Sequence, residues 1–178
     1  FANAVHAREA FETVLAALTD SVNGLIRLLT PPFDGKTRNA VGYIEGYLPG
    51  VRENGGQYTH AAAWCIIAAC RLGMADTADS LFKMINPIEH GSANSIERYK
   101  GEPYAVAGDV YSVGRLAGRA GWTLYTGSAA WLYRAAVENI LGIRKRGTKL
   151  FVEPCTVLDV FSFEYRFGNT VYRVDMHR

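Results

Sequence analysis

Apolar residues recur at helical spacing over residues 4 to 18, at Val5, Phe11, Val14, Leu15 and Leu18, and predict a first helix. The polar run Asp20 to Asn23, followed by Gly24, ends it. Leu25 to Leu29 is a short apolar run broken by Pro31-Pro32. Residues 30 to 58 read as one long glycine-rich loop, and a loop of that length inside a compact domain is more often functional than filler. A second helix is expected from Thr59 to Leu72, closed by Gly73. A third, over 76 to 85, carries Ala78, Leu81, Phe82 and Ile85 and is stopped by Pro87. The short connection between them predicts an αα-hairpin.

Residues 86 to 104 read as a further long loop, then a short helical stretch is expected over about 104 to 112, with Ala105, Val106, Val110 and Tyr111. Gly114, Gly118 and Gly121 mark a third loop. A strong helix is predicted from about Ser128 to Leu141, with Leu132, Ala136 and Ile140 on one stripe. After Gly142 the pattern changes. Arg144 to Gly147 reads as a basic turn, and from Lys149 the period becomes two: Phe161, Phe163, Tyr165 and Phe167 alternate with Ser162, Glu164 and Arg166. Gly168-Asn169 supplies a hairpin turn. Pairing Phe167 with Thr170 sets Tyr165 opposite Tyr172, Phe163 opposite Val174 and Glu164 opposite Arg173, so apolar meets apolar and acid meets base. A boundary between a helical and a β region is therefore expected at 143 to 149.

The chain has 178 residues, 49% of them apolar and 12% aromatic, enough for one sizeable core. A net charge of +2 gives no sign of nucleic-acid binding. Cys65, Cys70 and Cys155 lack metal-ligand spacing and read as buried free thiols in a reducing compartment. No run is long enough to cross a membrane. Phe1 in place of Met, and an end at Arg178 directly after a strand pattern, suggest a fragment of a larger protein.

Chemistry concentrates in Pro49 to Trp64: a Pro-Gly turn, the charged pair Arg52-Glu53, Gly55-Gly56, and a polar run to His60 at a helix start. Such a junction brings polar side chains and free backbone N–H groups to one point. Ordinary helix capping by Tyr58 or Thr59 explains the same letters. The recurring order of helix, polar glycine-rich loop and helix is what an α/α toroid looks like from sequence.

The stretch from Pro49 to Ala61 closely resembles the glycoside phosphorylases of glycoside hydrolase family 94. Ile85-Asn86-Pro87-Ile88, Glu102-Pro103-Tyr104 and Gly121 to Ala129 match the same family in order, and Glu153-Pro154-Cys155 fits its entry to a C-terminal β domain. In style the motifs look most like the phosphorylase-like domain of bacterial cyclic β-1,2-glucan synthases. The chain departs from the family at Leu48, over 112 to 118, and at Asp159-Val160.

The resemblance implies a mainly α fold: residues 1–146 as the C-terminal part of an (α/α)6 barrel and residues 147–178 as the start of a β-sandwich. It implies inverting phosphorolysis, with inorganic phosphate as co-substrate and nucleophile and no other cofactor or metal. The family's general acid lies upstream of the His60 motif and is carried onto no residue here. His60, Thr126 and Gly127 match phosphate-binding positions; Thr126 and Gly127 are expected just before the helix at Ser128, where the dipole and orphan N–H groups favour an anion. Arg52 and Glu53 match the acceptor-sugar side; a surface ion pair is the alternative. Trp122 and Tyr104 are candidates to stack on sugar rings, or to pack as core. Asp109, mid-helix on this reading, fits a buried hydrogen-bonding role better than catalysis.

The expected partners are a β-glucan oligosaccharide, phosphate and the rest of the parent chain, with no nucleic acid and no membrane contact by this segment. The expected location is a cytoplasmic domain of a bacterial protein, anchored in the inner membrane in the synthase reading. Alone, the fragment is expected to be inactive and prone to aggregate, because barrel helices without their partners leave apolar faces open. A carbohydrate-binding or structural remnant without turnover is the competing class.

Overall fold

A computed structural model of the chain describes residues 3 to 36 and 41 to 177; residues 37 to 40 of the expected long loop, and the chain ends Phe1, Ala2 and Arg178, lie outside the described residues. Helix α1 runs Ala4–Leu18, and its N-cap is Asn3, whose side chain accepts the His6 N–H at 2.9 Å. A two-residue ladder, β1 Thr19–Asp20 with β2 Leu25–Ile26, follows. The next regular elements are a 3₁₀ turn at Gly42–Gly46, strand β3 at Gln57–Tyr58, and α2 at Thr59–Arg71. Helix α3, Ala75–Ile85, folds back on α2 as the short connection predicts.

The segment after α3 is more ordered than expected. Asn86 accepts the Ile88 N–H at 3.0 Å and Pro87 occupies the first helical position, so α4 forms at Pro87–His90; α5 follows at Ile96–Tyr99. The expected helix over 104 to 112 does not form. Its centre is strand β4, Asp109–Val110, paired antiparallel with β3 so that Gln57 faces Val110 and Tyr58 faces Asp109. Its polar backbone is satisfied from outside: the Thr59 N–H donates to the Gly108 carbonyl at 3.0 Å, and the Tyr111 N–H to the Arg119 carbonyl at 2.9 Å. Long-range pairing overrides local helix propensity here.

Helix α6 begins at Thr126, two residues earlier than expected, and ends at Arg134, where a π-helical turn takes over, Ala135–Ile140. The predicted stripe is corrected accordingly: Leu132 and Ala135 are buried, and Ile140 packs against the same core. Arg144–Arg146 is not a turn but part of β5, Ile143–Arg146, which pairs with β6, Lys149–Val152; the turn falls on Gly147, whose φ of +58° suits glycine. The last hairpin, β7 Val160–Phe167 and β8 Thr170–His177, has the register read from the sequence, with Glu164 opposite Arg173 and their side chains paired at 2.8 Å.

Among the described residues, two apolar clusters hold the helices and their loops together. The larger joins Phe11, Ile26, Ala62, Ile66, Ala69, Ala78, Leu81, Ile85, Leu132 and Ala135, uniting α1, α2, α3 and α6. The smaller joins Leu25, Tyr99, Ala107, Val110 and Ala120 beneath the loops. Cys65 and Cys70 pack half-buried against the first cluster, and none of the three cysteines forms a disulfide. Among the described residues no helix is long and apolar enough to cross a membrane.

His90 is buried at 7% exposure, and its ring stacks on Tyr99 with centroids 4.4 Å apart. Burial pushes its pKa below the ordinary 6.5, with Arg98 adding and the Met84 and Gly24 carbonyls opposing. The unfolded chain therefore takes up a proton that the folded chain resists. Stability should be full above about pH 6.5 and fall as the pH drops below it. Urea melts at pH 7.5 and 5.5 should show a lower midpoint at the acid value, and His90→Gln should shrink the difference.

Candidate functional site

The site is assembled on a ribbon of three backbone segments. β3 leads directly into α2, and β4 lies beside it. The segment from Arg119 to Trp122 lies on the other side of β4: Val110 bridges Ala120, and the Gly121 N–H donates to the Asp109 carbonyl at 2.8 Å. The Gly108 N–H donates to the Trp122 carbonyl. Residues 57 to 60, 108 to 110 and 119 to 122 are thus fixed side by side although distant in sequence.

His60 occupies the second position of α2. Its ring stacks on Tyr58 with centroids 4.8 Å apart and meets Tyr125 edge-on at 5.6 Å. Its Nε2 lies against Gly127: a Cβ added to that glycine would stand 2.4 Å away. Only glycine lets the imidazole reach the first turn of α6. Thr126 and Gly127 are in that first turn rather than ahead of it, so their N–H groups have no partner within the helix. Burial lowers the His60 pKa, favouring a neutral ring, and its Nδ1 is buried without a hydrogen-bond partner. Burial also raises the Tyr58 phenol, with Tyr125 and Glu53 adding and Arg52 opposing.

Arg52 and Glu53 sit on a tight turn closed by two backbone bonds, the Gly50 N–H donating to the Asn54 carbonyl at 2.7 Å and the Asn54 N–H to the Val51 carbonyl at 3.0 Å. Arg52 has φ +49°, an uncommon conformation for a residue with a side chain. Gly56 packs so closely that a Cβ there would fall 2.8 Å from the Arg52 nitrogen. The Arg52 guanidinium lies over the Trp122 ring at 3.8 Å and contacts Glu53 at 3.6 Å. The side chains are only 15% and 16% exposed, so this is no surface ion pair. Arg52 Nε, Glu53 Oε2 and Asp109 Oδ2 are all buried without hydrogen-bond partners. Buried groups without hydrogen bonds are rare, and here three charged side chains lie under cover together.

Of the residues singled out from sequence, His60, Gly127, Arg52, Glu53 and Trp122 converge, with Thr126 in the same helical turn as Gly127. Trp122 is 58% exposed, with Arg52 over its ring and Tyr125 at 6.0 Å, so it is not a core residue. Tyr104 stands apart at 83% exposure, which fits neither core packing nor the cluster. The sequence reading missed Asn54 and Gln57. Asn54 is fully buried; its side chain donates to the Phe33 and Tyr47 carbonyls at 2.9 and 2.8 Å and accepts the Phe33 N–H at 2.7 Å. Gln57 accepts the Ile26 N–H at 2.9 Å. Two wholly polar side chains beside a double glycine were the available signal. A cavity of about 470 Å³, lined by Cys70, Cys155, Phe161 and Met176 among others, lies elsewhere and shares no residue with the His60 cluster. Among the described residues no group of His, Cys, Asp and Glu could hold a metal ion.

Residues 2–142 match the model of the glycosyl hydrolase 94 superfamily catalytic domain. The chain is 49% identical over 172 residues to the cyclic beta-(1,2)-glucan synthase NdvB of Rhizobium meliloti (strain 1021), covering 95% of this chain and 6% of that protein. It is 31% identical over 139 residues to an N,N'-diacetylchitobiose phosphorylase of Vibrio proteolyticus, covering 76% of this chain and 17% of the relative. A solabiose phosphorylase of Paenibacillus borealis is 29% identical over 150 residues, 84% of this chain and 19% of the relative. The chain thus spans less than a fifth of these relatives.

Gly127→Ala should push the His60 ring off its stack with Tyr58. The His60 imidazole resonances should shift, and its titration midpoint should rise toward the ordinary 6.5 as burial is relieved. An unchanged His60 titration in that variant would contradict the contact.

Proposed function

The chain belongs to the glycosyl hydrolase 94 superfamily, and on that premise we propose that it supplies the phosphate-binding end of an inverting glycoside phosphorylase site. The observation that carries this reading is the contact between His60 Nε2 and Gly127 in the first turn of α6. Phosphate is bound at the edge of that contact. Neutral His60 donates from Nε2, the Thr126 hydroxyl donates, and the free N–H groups of the α6 first turn add the helix dipole. A bound phosphate oxygen attacks the anomeric carbon, and the glycosidic bond breaks on the opposite face. The leaving oxygen takes its proton from an acid elsewhere in the parent, so this chain provides no catalytic residue of its own. Phosphate is already an anion, and no second carboxylate base is required.

Arg52 and Glu53 hold hydroxyl groups of the acceptor sugar, and Trp122 offers an exposed ring beside them. Identity of 49% along 95% of the chain to a cyclic β-1,2-glucan synthase supports β-1,2-glucan as the substrate and chain trimming within such a synthase as the role. Tyr104 is retained only as an outlying sugar contact. In this reading residues 1–146 are the later hairpins of an (α/α)6 barrel and 147–178 begin a β-sandwich; the family match ending at 142 and the pairing of β5 with β6 favour a division a few residues earlier, before β5. The segment is then a cytoplasmic domain of an inner-membrane protein, and its partners are glucan, phosphate and the rest of the parent.

Full-length parent given β-1,2-glucan and inorganic phosphate should release glucose 1-phosphate with inversion, followed by a coupled assay; absence of the product would sink the reading. His60→Ala should raise the phosphate KM about ten- to a hundredfold, the loss of one charge-assisted hydrogen bond worth about 1.5–3 kcal/mol, and leave the glucan KM nearly unchanged. Thr126→Val should act in the same direction more weakly. Residues 1–178 expressed alone should form no sugar phosphate.

A further inference from the structure

Asp109 is 2% exposed and lies on β4, directly opposite Tyr58. Its Oδ1 accepts the Trp122 N–H at 3.0 Å. Gly121 leaves room for the carboxylate: a Cβ there would fall 2.2 Å from Oδ1. Its Oδ2 makes no hydrogen bond of ordinary geometry, and Arg52 acts on the carboxylate through both its charge and its backbone N–H. One carboxylate therefore touches the backbone of Trp122 and exerts its charge on Arg52, while Arg52 lies over the Trp122 ring. We propose that Asp109 is a positioning residue for sugar recognition: its Oδ1 fixes the Trp122 backbone, and with it the ring on which the Arg52 guanidinium lies, while its negative charge faces Arg52. This rests on the sugar-side role of Arg52 given above.

The geometry also says why Asp109 acts indirectly. One oxygen is engaged by Trp122, the cradle at Gly121 closes on the same side, and the carboxylate is out of reach of solvent. Burial raises its pKa, opposed by the Trp122 N–H and by Arg52, while Glu53 adds to the rise. A free buried carboxylate with no cation at hand would be costly, so the arrangement is stable because Arg52 stays near.

The test is a double-mutant cycle in the full-length parent, with β-1,2-glucan and inorganic phosphate as substrates. Asp109→Asn keeps the shape and the acceptor for Trp122 but removes the charge. It should raise the glucan KM about tenfold and move the phosphate KM less than about twofold. In an Arg52→Ala background, which keeps the backbone N–H but removes the guanidinium, the same change should add clearly less than it does in the parent. Additive effects, an unchanged glucan KM, or an equal rise in both KM values would overturn the proposal while Arg52→Ala still raised the glucan KM. If Arg52→Ala itself left the glucan KM unchanged, the sugar-side reading would fall and this proposal with it. Where Asp109→Asn lowers soluble yield, Gly121→Ala carries the same test: its added methyl displaces the carboxylate and should reproduce the selective rise in glucan KM.

Discussion

Everything at the site depends on backbone pairing of strand β4 with its two neighbours. The elements are very short, since β3 and β4 have two residues each. Isolated, such a ladder would not survive; a two-stranded pair is marginal in water even at greater length. It persists because Val110 and Ala120 are buried with Leu25, Tyr99 and Ala107, so the polar ribbon rides on its own apolar patch. The ribbon sets His60 beside the α6 turn and Asp109 beside Trp122, and the aromatic and charged side chains inherit their positions from it.

Glycine makes the close approaches possible, each in a different way. At Gly127 it admits an imidazole, at Gly121 a carboxylate, and at Gly56 the backbone of Arg52. None of these three is required by a left-handed φ; the reason is space. Gly50 differs, because there φ is +81° and Val113 fills the place of a Cβ as well. The glycine-rich loops are therefore tightly packed around the site, and Asn54 at their centre is fully buried with its side chain bonded to two other loop segments.

The sequence was most legible where order is local. α1, α2, α3 and the final hairpin follow directly from period and turn chemistry, and the Phe167–Thr170 register was readable because only one pairing puts like with like on both faces. The motif residues His60 and Gly127 could be singled out, but their contact is a property of the fold. Asp109 was misplaced on a helix because nothing in Ala105 to Tyr111 announces partners at residues 57 to 59 and 119 to 122. The Asn86-Pro87 cap of α4 was present in the sequence and passed over. Arg52 and Glu53 matched acceptor-sugar positions with a surface ion pair as the alternative, and their cover is a property of the fold.

The wide turn at Ala135–Ile140 leaves the chain one residue longer than a regular helix would need over that span. The core-facing positions step from Leu132 to Ala135, a normal helical interval, and then five residues to Ile140. A relative lacking one residue between Ala135 and Ile140 would close the bulge into ordinary α-helix and still present its isoleucine to the core four residues on. Length variation at this spot is thus absorbed inside the helix, and neither the α6 first turn before it nor strand β5 after it need change place.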